Sequence, residues 1–156
     1  MINTVVLGIG NRLLMDDGIG LYVAEALKEL STGDIHCVIG ETDIDYCLDE
    51  VKGAEFLIII DAAKLGKASG EVTVLDLDDV KACRNLGLSM HNLRLFNMVE
   101  LIYKDIKGIM IGIEPYMIDY NLGLSEEISI KLPEILTKVR NIVNQGIYQP
   151  FHHTLR

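Results

Sequence analysis

Three side chains of the kinds that bind metal ions or move protons stand far apart in the chain: Asp17, Asp61 and His91. Asp17 follows Asp16 at the mouth of a helix marked by apolar residues at Ile19, Val23, Ala26, Leu27 and Leu30. Asp61 ends the apolar run 56–60, and a carboxylate closing a buried strand is costly unless it faces a cleft. His91 follows Ser89 and Met90 at a second helix start. Each has an ordinary reading: helix capping for Asp16 or Asp17, a cap on the Ala62-Ala63 turn for Asp61, and a half-buried imidazole for His91. Together they form a nitrogen–oxygen ligand set suited to nickel, zinc, iron or cobalt. The same set suits acid–base work around a scissile bond, and the residue types leave both uses open. Two adjacent acids are more than a cap requires, and their repulsion favours a cation or cationic group beside them.

Positioning such residues requires a scaffold, and the order of elements is readable. Strands are expected at 3–8, 34–40, 55–61, 70–77 and 108–115, the fourth alternating and hence nearer an edge. Helices are expected at 18–30, around Ile44, Leu48 and Val51, after a Ser89 cap, and over 125–144. Pro133 predicts a kink or a later start in the last of these. Alternation of this kind predicts a mostly parallel, doubly wound sheet covered on both faces, a three-layer α/β/α sandwich. Ligands of such folds sit beyond the carboxyl ends of the strands, where Asp17, Asp61 and His91 all fall.

The 156 residues fit one domain, read as 1–146 with a tail at 147–156. A net charge of −9 excludes general affinity for nucleic acid or anionic membrane. The start Met1-Ile2-Asn3-Thr4 lacks the basic region of a secretory leader, and no apolar run approaches a membrane span. Cys37, Cys47 and Cys83 form no Cys-x-x-Cys pair, so reduced, buried thiols and a cytoplasmic location are expected. A cysteine hydrolase using Cys47 or Cys83 with His91 is disfavoured, because neither cysteine sits at a strand-to-helix elbow. Gly8-Ile9-Gly10 opens like a dinucleotide fingerprint, but Leu13 stands at the third glycine and Asp16-Asp17 would repel a pyrophosphate. Glu41, placed where a ribose carboxylate would stand, repairs neither defect, and no organic cofactor is expected. His152-His153 lie in a tail of the kind that is usually poorly ordered, so no metal site is assigned to them.

The segment Val5-Val6-Leu7-Gly8-Ile9-Gly10-Asn11, with Leu13-Leu14-Met15-Asp16-Asp17-Gly18-Ile19-Gly20, resembles the signature of the nickel–iron hydrogenase maturation proteases. The resemblance continues at Ile59-Ile60-Asp61-Ala62, Ser89-Met90-His91-Asn92-Leu93, Ile111-Gly112-Ile113-Glu114-Pro115 and Leu122-Gly123-Leu124-Ser125. It implies a five-stranded α/β/α domain. It also implies an endopeptidase that removes a C-terminal extension from the hydrogenase large-subunit precursor once nickel is inserted. The family's metal-binding and catalytic positions fall on Asp17, Asp61 and His91, with nickel supplied by the precursor. Well-known members have glutamate at the first position, and many relatives have aspartate. The loop Gly40-Glu41-Thr42-Asp43 is expected beside the cleft. Gly10, Asn11, Gly40, Glu41 and Thr42 are expected to contact substrate, with Glu41, Asp43 and Asp45 facing a basic stretch of it. A monomer is expected. The alternative is a non-catalytic, nickel-dependent module or chaperone that recognises the loaded precursor without cutting it.

Overall fold

A computed structural model describes residues 2–30, 35–82 and 87–148. Five strands, β1 (Thr4–Ile9), β2 (Ile35–Glu41), β3 (Phe56–Ala62), β4 (Val72–Asp76) and β5 (Lys107–Ile113), form one sheet in the order β2-β1-β3-β5-β4. All neighbours are parallel except β4, which runs antiparallel to β5 at the edge. β1 and β3 are buried along their whole length, as β-branched runs in a covered parallel sheet must be. β4 is only partly covered, which its alternation foretold.

Five helices cover the sheet: α1 (Ile19–Leu30), α2 (Ile44–Val51), α3 (Leu77–Ala82), α4 (Met90–Ile102) and α5 (Glu126–Tyr148). Val6, Ile58, Ile60 and Ile111 pack with Val23 and Leu27 of α1 and Ile135 and Val139 of α5 on one face. Leu7, Leu57, Ile59 and Met110 pack on the other face with Leu48 and Val51 of α2, Val80 of α3, and Leu95, Phe96 and Val99 of α4. The three layers follow from strand alternation, which sends Ile58 and Ile59 into opposite cores.

Three expectations need correction. The strand expected to reach residue 77 stops at Asp76, and α3 follows at once; its six residues are too few for a helical period to show. α5 starts at Glu126 and passes through both Pro133 and Gly146, so the proline causes no later start. The boundary read at 146/147 therefore falls inside a helix, while residues 149–156, including His152-His153, lie outside the described residues, as does Cys83.

Strand β1 connects to β2 on one side, whereas β3 lies on its other side, so the strand order reverses between β1 and β3. That reversal opens a crevice at their carboxyl ends. α1 closes its floor by lying directly on the sheet: a Cβ at Gly20 would overlap the carbonyl oxygens of Ile60 and Ile9. A Cβ at Gly8 would likewise run into α1 at Gly20 and Ala24. Gly20→Ala is therefore expected to cost about 2–3 kcal/mol in chemical denaturation, the upper range for overpacking. Gly53→Ala, where nothing lies within 4 Å and only the φ of +80° is unfavourable, should cost less.

Candidate active site at the carboxyl ends of β1 and β3

The β1–α1 loop leaves β1 through Gly10, whose φ of +141° and contact with the Asp17 carbonyl admit no side chain. Asn11 then holds the loop in two directions. Its N–H donates to Asp17 Oδ2 at 3.0 Å, and its side-chain Oδ1 accepts from the Leu13 N–H at 2.9 Å. Met15, in the left-handed region at φ +53°, turns the chain into one 3₁₀ turn, Met15–Gly18, that runs into α1. Arg12 locks the outer side of this loop: its guanidinium pairs with Glu25, lies 3.6 Å from Glu41, and stacks 5.1 Å from the Tyr22 ring centroid.

Asp16 and Asp17 have separate tasks, and neither makes a side-chain cap for its own turn. Asp16 is wholly buried. Its Oδ2 accepts from the Tyr116 N–H (3.0 Å), the Met117 N–H (2.8 Å) and the Ser125 hydroxyl (2.8 Å), and its Oδ1 from the Ser125 N–H (2.8 Å). Ser125 Oγ in turn accepts from the Ile128 N–H and so caps α5. Asp16 thereby ties the β1–α1 loop to the β5–α5 loop about a hundred residues later, a role that no local spacing could signal.

Asp61, the penultimate residue of β3, is also fully buried, but only half satisfied. The Asn92 amide donates to its Oδ2 at 2.7 Å, while Oδ1 has no hydrogen-bond partner among the described residues. Burial first, and the charge of Asp17 second, push the Asp61 pKa well above the carboxylate range. Burial also raises Asp17, opposed by the Asn11 hydrogen bond and by the electrostatic influence of Lys64 and His91. Lys64 places a positive group beside the paired acids. Because Oδ1 is unpartnered, the two carboxyls share no direct hydrogen bond, and an atom binding both would have to lie between them.

His91, in the first turn of α4, is exposed and within electrostatic range of Asp17. Ser89 caps that helix as expected, its Oγ accepting from the Asn92 N–H at 3.1 Å. Among the described residues no three His, Cys, Asp or Glu side chains close on one point in a ready metal cluster. Asp17 and Asp61 fit a cation by charge, donor chemistry and the orphaned oxygen. His91 is exposed at the rim.

The residues expected to contact substrate divide by exposure. Gly10 and Gly40 are buried, and Gly40 leaves no room for a Cβ against Cys47 Sγ. Asn11 is half-buried, while Glu41 and Thr42 are exposed. Asp43 caps α2 by accepting from the Tyr46 N–H at 3.0 Å. A groove of about 510 Å³ runs from this loop to His91, lined by Thr42, Asp43, Ile44 and Asp45 on one side and Arg94 and Met98 on the other. One further buried acid was not singled out from the sequence. Glu114 accepts from the Leu65 N–H (2.8 Å) and the Gly66 N–H (3.2 Å), fixing the loop that carries Lys64.

The contrast between the buried acids is measurable. Asp16→Ala strands several donors and is expected to cost about 3–5 kcal/mol in denaturant unfolding. Asp61 behaves oppositely. Its raised folded-state pKa means that the folded protein holds an extra proton, so stability declines as pH rises from about 4, the unfolded value, through the folded one. Asp61→Asn should melt above the parent protein at neutral pH, with the advantage vanishing near pH 4.

The comparisons with known proteins bear on the fold and the family. Residues 21–142 match the family model described as hydrogenase maturation protease. The hydrogenase 3 maturation protease of Escherichia coli K12 is 28% identical over 147 residues, covering 91% of this chain and 92% of that protein. The hydrogenase maturating endopeptidase HybD of E. coli superposes with a TM-score of 0.80 at 24% identity, covering 93% of this chain and 94% of that one. HybD from Thermococcus kodakarensis, described as a nickel–iron hydrogenase maturation protease, gives 0.75 at 23% identity, covering 90% and 99%. At such identities the superpositions speak for the five-stranded α/β fold, and the family-model match speaks for descent. The chain belongs to the hydrogenase maturation protease family.

Proposed function

We propose that the chain is the endopeptidase that removes the C-terminal extension of a nickel-loaded hydrogenase large-subunit precursor. The observation carrying this reading is the buried Asp61 carboxyl, with one unpartnered oxygen, beside Asp17. A carboxylate in that state is costly in a resting protein and is compensated by a cation brought to it. Nickel arrives as part of the substrate, and Asp17, Asp61 and His91 receive it, so that only a loaded precursor docks. Oxygen and nitrogen donors of this kind suit nickel. For hydrolysis, water adds across the scissile C–N bond. A carboxylate accepts the water's proton, and the leaving amine takes up a proton. Asp17 and Asp61 are the acid–base groups at hand, with pKa values both displaced upward toward the range such work needs.

The groove leading to His91 supports the placement of the precursor's extended segment. Asp43 and Asp45 line one wall beside Thr42, which favours a basic stretch of peptide there, with Glu41 preceding Thr42 in the chain and Asn11 on the loop that bonds Asp17. Glu41 does this while already paired with Arg12, so its charge is shared with the loop. No helix among the described residues is long and apolar enough to cross a membrane, and Cys37 and Cys47 are buried and outside any disulfide. Both features accord with work in the reducing cytoplasm.

Mass spectrometry of precursor incubated with this protein, with and without nickel, tests the reading. Truncation confined to the nickel-loaded sample is expected, and His91→Ala should abolish it without changing the melting temperature. Unchanged mass with a stable complex would instead make the protein a nickel-dependent binder. Asp43→Asn, which keeps the α2 cap, combined with Asp45→Asn should raise KM several-fold at low salt and leave kcat alone. An unchanged KM would remove the acidic wall from the substrate path.

A further inference from the structure

The core-facing stripe of α4 runs through residues 92, 95, 96 and 99, the i, i+3, i+4, i+7 spacing of a buried helix face. Leu95, Phe96 and Val99 fill three of these places, and Asn92, 2% exposed, fills the first. An amide where the pattern calls for an apolar side chain is a cost that packing does not explain. Its Nδ2 donates to Asp61 Oδ2 at 2.7 Å, and its backbone N–H is held by the Ser89 cap at 3.1 Å. The residue is thus held at its backbone by the start of α4 and at its side chain by β3.

We propose that Asn92 is a positioning residue that fixes the Asp61 carboxyl plane, so that Oδ1 alone is presented toward Asp17 and an arriving cation. The torsion that turns a carboxyl group is broad and two-fold, so its plane is set by the groups around it, of which Asn92 is the side-chain donor. An amide N–H only donates. It therefore selects the same acceptor oxygen whether the carboxyl carries a proton or not, and Oδ1 remains the oxygen for a proton or a metal. Because His91 precedes Asn92 directly, the same hydrogen bond also sets the start of α4 relative to β3. One bond then aligns two of the three candidate ligands, the arrangement by which outer partners orient metal-binding carboxylates.

The inference rests on reading Asp17 and Asp61 as the nickel-receiving pair, and its test separates the two. Purified wild-type, Asn92→Leu, Asn92→Ala and Asn92→Gln proteins would be titrated with Ni²⁺ by calorimetry and melted in parallel. The two donorless variants are expected to bind Ni²⁺ about 10–100-fold more weakly while still folded, with some loss of melting temperature from the stranded Asp61 oxygen. Asn92→Gln, which keeps an amide on a longer arm, should recover part of the affinity. Should Asn92→Leu fail to fold, Asn92→Ala carries the comparison. Wild-type affinity in a folded donorless variant would overturn the role of Asn92 while leaving the nickel reading in place. A wild-type protein that neither binds Ni²⁺ nor processes nickel-loaded precursor would overturn both.

Discussion

A carboxylate buried at the end of a β-sheet has to be compensated, and the two wholly buried aspartates here are compensated differently. Asp16 is saturated, by three backbone N–H groups and a hydroxyl from the segment between β5 and α5. Asp61 receives a side-chain hydrogen bond from Asn92 and the influence of the Ala62 backbone N–H, and its Oδ1 has no hydrogen-bond partner among the described residues. The first therefore serves as a structural fastener and the second retains capacity for chemistry. Asp17 lies between these extremes, bonded to Asn11 and open to Lys64 and His91.

That distribution depends on how closely α1 can approach the sheet. Gly8 and Gly20 remove the side chains that would separate them, so the 3₁₀ turn ahead of α1 comes down at the end of β3. Asp17 then falls within electrostatic reach of Asp61 although 44 residues separate them in sequence. The glycines that first suggest a nucleotide loop thus act through packing. Gly10 serves the same end by letting the Asp17 carbonyl approach.

Much of the scaffold was legible because it is written in local patterns. The runs at 56–62 and 107–113 are buried strands, and Ser89 is a cap, by rules that involve only neighbouring residues. Asp61 was also legible, since a charge ending an apolar run is conspicuous. What could not be read were roles made by distant partners. Asp16 is bound by residues about a hundred positions away, and Glu114 by amides nearly fifty positions back. The six-residue α3 was hidden because less than two helical turns give no period, and Pro133 misled because tertiary packing of Ile135, Val139 and Val143 holds α5 together around it. Asn92 carried a readable signal, a polar residue on an apolar stripe, that becomes meaningful only once Asp61 is seen opposite.

The account turns on one point in space, the gap between Asp61 Oδ1 and the Asp17 carboxylate. Anomalous diffraction at the nickel edge from crystals of this protein soaked with Ni²⁺ addresses it directly. The account predicts a single strong peak coordinated by Asp17 and Asp61, with the His91 ring turned inward to meet it. A peak elsewhere on the surface, with the Asp17–Asp61 gap empty and His91 still at the rim, would contradict it.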